Sequence, residues 1–109
     1  MPKGGIVKEH KLSEVNEKYY NSFKSKFKDK EASWRQYKVD VGAFMEKYQE
    51  DVARVKITDI QAYAIDNSKN EKTKSNKEAH IRSLLQWIVK NNVEGAKDKV
   101  DRDVLVYLI

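Results

Sequence analysis

The chain has 109 residues, enough for one domain that buries roughly two-thirds of the surface its unfolded form exposes. Hydrophobic residues make up 39% and charged residues 36%, with eleven aromatics but only four glycines and one proline. That mix argues against a disordered chain and against a barrel or sandwich of many short strands. Twenty-two basic residues against seventeen acidic ones give a net charge of +5, which suits an anionic partner. The lack of cysteine removes disulfides and thiolate zinc sites. There is no apolar run of membrane-spanning length and no N-terminal h-region, so the expected compartment is the cytoplasm, with no membrane partner.

The pattern predicts an all-α domain. Met1 to Lys11 holds Gly4 and Gly5 without periodicity and reads as a flexible arm. A first helix is expected near 13–27: Ser13 serves as N-cap, Glu14 and Glu17 complement the helix dipole, and Val15, Tyr19 and Phe23 recur every fourth residue. A second is expected near 33–49, opened by a Ser33/Gln36 capping box and striped by Trp34, Tyr37, Val41, Phe44, Met45 and Tyr48. Thr58/Gln61 repeats the box before a short third helix near 58–66 that carries Ile60, Tyr63 and Ala64. Asp66 to Lys74 is wholly polar and reads as an exposed connector. Ser75/Glu78 then opens a fourth helix near 75–91 with Ile81, Leu84, Leu85 and Ile88, stopped at Asn91-Asn92. The expected core joins Trp34, Tyr37, Phe44, Ile60, Leu84, Leu85 and Ile88. The helical domain spans 12–92, and residues 93–109 form a tail or the start of a linker. The tail's apolar end, Val104 to Ile109, fits either a fifth helix capped at Asp101 or a strand.

Catalysis has little to work with. His10 and His80 lie in different segments with no cysteine to pair with either, and phosphate loops, dinucleotide glycine motifs and metal-ligand spacings are absent. No enzyme activity, cofactor, metal or small-molecule substrate is expected. The charge distribution says more. Lys18 to Lys38 holds seven basic residues against two acidic, Glu46 to Asp66 three against five, and Glu71 to Lys90 five against two. Two basic segments thus flank an acidic one. If the N-terminal halves of the second and fourth helices pack side by side, Arg35, Lys38, Lys74, Lys77, His80 and Arg82 share a surface suited to phosphates. A solvated lysine-rich face is the plainer alternative.

Ser33-Trp34-Arg35-Gln36-Tyr37-Lys38-Val39-Asp40-Val41-Gly42-Ala43-Phe44 resembles the second helix of the N-terminal core-binding domain of phage integrases and other tyrosine recombinases. Ile57 to Tyr63 is similar to that family's next element in shortened form, and Ser75 to Val89 to its last long helix. The resemblance covers about Leu12 to Asn92. It implies a SAM-like four-helix bundle forming half a clamp on double-stranded DNA, with the second and fourth helices against the major groove. The implied DNA-facing residues are Ser33, Arg35 and Lys38 on the second helix, and Lys74, Lys77, His80 and Arg82 on or near the fourth. It also implies a C-terminal catalytic domain or other recombinase protomers as partners, since the family's catalytic residues are not in this chain. Asn91-Asn92-Val93 departs from the Asn-Pro that often follows the last helix. Two other classes stay open: a recombinase-derived regulator that binds DNA without cutting it, and a helical protein-interaction module.

Overall fold

The computed structural model describes residues 11–109, and all regular structure among them is helical: α1 (Glu14–Ser25), α2 (Glu31–Lys47), α3 (Ile57–Asp66), α4 (Glu71–Lys90), α5 (Ala96–Lys99) and α6 (Arg102–Leu108), with short 3-10 turns at Val52–Arg54 and Val93–Gly95. The arm expected over Met1 to Lys11 lies outside the described residues except for Lys11. That residue's N–H donates to Glu46 Oε2 at 3.1 Å. No helix among the described residues is long and apolar enough to cross a membrane.

Capping explains most helix starts, though not always the expected caps. Ser13 Oγ accepts from the Asn16 N–H at 3.3 Å, as its position ahead of α1 predicts. α2 begins at Glu31, ahead of Ser33. The turn after α1 already runs in helical sense, with Lys30 N–H donating to Phe27 O at 2.9 Å and Trp34 N–H to Lys30 O at 3.0 Å. Ser33 therefore sits inside the first turn, and the Ser33/Gln36 box does not form. At α3 it is Asp59 that reaches back, accepting from the Lys56 N–H at 3.0 Å. α4 starts at Glu71 because Asn70 Oδ1 accepts from the Thr73 N–H at 2.9 Å. Half of the expected connector is thus a polar helical turn, which hydrophobic periodicity cannot reveal.

The core draws on every long helix. Tyr19 and Phe23 of α1, Trp34, Val41, Phe44 and Met45 of α2, Ile60 and Tyr63 of α3, and Ile81, Leu84, Leu85 and Ile88 of α4 are buried together. Each large side chain contributes about 1.5–3 kcal/mol by leaving water. Tyr37 is half-buried, its ring packed on Phe23, Phe27 and His80 at centroid distances of 5.7, 5.0 and 4.9 Å. The connection between α2 and α3 is pinned by buried Asn16, whose Nδ2 donates to Tyr48 O and Glu50 O and whose Oδ1 accepts from the Val52 N–H.

Residues 93–109 fold back onto the same core. The chain leaves α4 through left-handed Asn92 (φ 47°), Glu94 (φ 49°) and Gly95 (φ 75°), a reversal that glycine and asparagine tolerate best. Ala96, Val104 and Leu108 are buried, and Gln86 Nε2 donates to Leu108 O at 2.8 Å. The tail is therefore a helix rather than a strand, and it packs as part of the domain.

Candidate nucleic-acid interface

α1 and α2 meet at a corner rich in cations. Lys24 and Lys28 leave the end of α1, Lys30 precedes α2, and Arg35 and Lys38 lie on its first three turns; all five are exposed. None has an ion-pair partner among the described residues. Beneath them Phe27 and Trp34 pack at 5.7 Å between centroids. A groove of about 420 Å³ is lined there by Lys24, Phe27, Lys28, Asp29, Glu31 and Trp34. Lys26 is used differently, its ammonium lying 5.4–5.8 Å from the ring centroids of Phe23, Phe27 and Trp87, where it helps seat α1 on α4. The lysines of the acidic segment are paired instead: Lys47 with Asp66 and Lys56 with Asp101, each at 3.5 Å.

On the other side of α2 lies a buried polar joint. Asp40, 6% exposed, accepts from Lys77 Nζ at 2.8 Å and from Tyr63 OH at 3.2 Å through Oδ1, while Oδ2 lies 2.6 Å from His80 Nδ1. One carboxylate thus ties α2 to α3 and α4. Burial works to raise the Asp40 carboxyl, but the hydrogen bonds from Lys77 and His80 outweigh it and hold it below its ordinary value. Nδ1 of His80 is the ring nitrogen held by Asp40, and Nε2 has no hydrogen-bond partner among the described residues.

Asp51 repeats the arrangement near the chain's C-terminal part. Its Oδ1 accepts from Tyr19 OH and the Ala53 N–H, and its Oδ2 from Lys99 Nζ at 2.8 Å. Burial again opposes ionisation and again loses, to Lys99, Tyr19 and the backbone N–H. A depressed folded-state pKa stabilises the fold above the unfolded value, about 3.9 for aspartate, and that contribution is lost as pH falls through the folded value. With Asp40 and Asp51 acting together, the urea midpoint should hold steady above about pH 5 and drop steeply below about pH 4. A midpoint unchanged between pH 5 and pH 3 would contradict this account.

The seven sequence-predicted residues do not form one surface. Contacts step back along α4 as they step forward along α2, from Tyr37 on His80 to Asp40 on Lys77. The N-terminal half of α2 therefore lies against the later half of α4, not beside its start. At 3.6 residues per turn, Arg35 and Lys38 stand about 140° and 160° round α2 from Asp40 in opposite senses, Lys38 on the α1 side one turn beyond Trp34 and Arg35 on the solvent face. Lys77 and His80 belong to the joint, and Ser33 is half-buried in the first turn of α2. Lys74 stands near the start of α4, 4.0 Å from Glu71. Arg82 points away from His80, its guanidinium 5.6 Å from the Tyr107 ring centroid of α6. Sequence reasoning missed Asp40 as the organiser and Lys24, Lys28 and Lys30 as members of the free cationic corner. A carboxylate at a core-stripe position, i+3 from Tyr37 and four residues before Phe44, was the signal for the first.

No protein-family model, curated protein or solved structure matches the chain.

Proposed function

We propose that the chain is a duplex-DNA-binding domain that grips phosphates without cutting them. In this reading α1 to α4 form the SAM-like bundle of a tyrosine-recombinase core-binding domain, or of a regulator derived from one. The supporting observation is the cationic corner, where Lys24, Lys28, Lys30, Arg35 and Lys38 are exposed and without ion-pair partners among the described residues. Five unpaired cations on two adjoining helices gain little from one another and much from a polyanion, because each phosphate neutralised releases condensed counterions. Lys77 is engaged by Asp40 and Arg82 lies against Tyr107, which supports assigning the phosphate contacts to the corner rather than to those two residues.

Fluorescence-anisotropy titration of a generic duplex at several salt concentrations tests the proposal. Five contacts give a slope of log affinity against log salt of roughly −4 to −5, whereas a slope near zero, or no binding at low salt, defeats it.

A second reading draws on α6, where Leu105, Val106 and Ile109 are exposed at 37%, 67% and 101%. That apolar edge suits contact with another polypeptide, such as a catalytic domain or a second recombinase protomer, and it leaves the cationic corner free.

A further inference from the structure

At the opposite end of α2 from the cationic corner, α2 and α3 enclose a cavity of about 240 Å³, several times the ~30 Å³ share of one water. From α2 it is walled by Phe44 and Tyr48, whose rings lie parallel at 6.0 Å between centroids. From α3 it is walled by Asp59, Ala62, Tyr63 and Asp66, which follow the spacing i, i+3, i+4, i+7 and so share one side of that helix. A carboxylate thus stands at each end, two turns or about 10 Å apart along the axis, with rings and a methyl group between. The two ends differ. Lys47 reaches across from α2 to Asp66 at 3.5 Å and closes one of them. At the other, half-buried Asp59 accepts from the Lys56 N–H through Oδ2 and has no ion-pair partner among the described residues. The surroundings are negative. Burial first, then the charges of Asp59, Glu50 and Asp51, push the Tyr48 hydroxyl above its ordinary pKa, and Tyr48 is the C-cap of α2, at the negative end of that helix's dipole.

An apolar slot with one unpaired carboxylate in a negative field selects a cation that carries a short hydrocarbon chain. An anion is repelled there, and a neutral alcohol leaves the charge of Asp59 unmatched. The side chain of Lys47, an aliphatic chain ending in an ammonium, already lines the same walls and meets Asp66. We propose that the cavity binds a primary alkylammonium, its head on Asp59 and its chain laid over Tyr48, Ala62 and Tyr63 towards the Lys47–Asp66 pair. The site is independent of the duplex-DNA reading. The roughly 10 Å between the two carboxylates, less the space taken by the Lys47 ammonium, holds a chain of about five carbons.

Heteronuclear NMR titration of the whole chain at constant ionic strength tests this, with propylammonium, pentylammonium, heptylammonium and pentanol as probes. Pentylammonium should shift the amide signals of α3 and the end of α2 saturably, with a Kd on the order of 1 mM. It should bind about tenfold more tightly than propylammonium, through two further buried methylenes, and about tenfold more tightly than pentanol, through the charge-assisted hydrogen bond to Asp59. Heptylammonium should gain nothing further on the native protein, yet outbind pentylammonium on Lys47→Ala, which opens the far end. Asp59→Asn keeps an oxygen for the Lys56 N–H, and circular dichroism confirms that both variants fold; it should bind pentylammonium no better than pentanol. If Asp59→Asn keeps the preference for the amine, or the native protein shows none, recognition by Asp59 is overturned. Affinity that ignores chain length, or that rises equally to heptylammonium with and without Lys47, puts the chain outside the cavity and overturns the proposal, as does a titration that never saturates.

Discussion

Replacing Asp40 by alanine is expected to cost the domain about 3–5 kcal/mol, the usual consequence of removing one partner from a buried ionic group. Without the carboxylate, Lys77 Nζ, His80 Nδ1 and Tyr63 OH lose their shared acceptor. Their side chains have little water to turn to, since those of Lys77 and His80 are only 19% and 22% exposed. A small domain is stable by about 5–15 kcal/mol, so the variant should unfold at a much lower urea concentration. The loss reflects stranded partners rather than the intrinsic worth of the ion pair. A triple variant, Asp40→Leu with Lys77→Met and His80→Leu, should therefore recover most of it, and Asp40→Asn, which keeps an acceptor, should fall between. An Asp40→Ala protein within about 1 kcal/mol of the native stability would mean the joint relaxes to admit water.

The largest functional effect is expected from emptying the cationic corner. On the duplex-DNA reading proposed above, changing Lys24, Lys28 and Lys38 together to alanine would remove three phosphate contacts, each contributing about 0.9 to the salt slope. At 50 mM salt that loss amounts to about a thousandfold in affinity, shrinking towards nothing as salt approaches 1 M. All three side chains are exposed, so the thermal midpoint should barely move. Lys47 and Lys56, held by Asp66 and Asp101, serve as the control pair, and their replacement should leave the slope intact. Equal losses from both sets would mean that binding follows net charge, and the corner would lose its special role.

Both effects trace to the same division along α2. A helix interior is legible where one side chain type recurs at a fixed step, and Val41 and Phe44 of α2 and Ile81, Leu84, Leu85 and Ile88 of α4 could be placed in the core from spacing alone. The start of α4 was not legible, because Asn70 caps it through a single hydrogen bond in a stretch with no apolar residue. Nor was the pairing of helices. A row of lysines and arginines reads identically whether the helices that carry it run side by side from the same end or in opposite senses.

Composition, apolar periodicity and charge segregation by themselves determined an all-helical domain, most of its core and the presence of two basic segments, because these depend on local chain geometry and on burial. Only the tertiary structure decided which cations face solvent. The sense in which α2 crosses α4 brings Asp40 onto Lys77 and His80, and the return of α6 lays Tyr107 against Arg82. The corner of Lys24, Lys28, Lys30, Arg35 and Lys38 is left exposed and without ion pairs among the described residues, since pairing between residues remote in sequence is settled by packing.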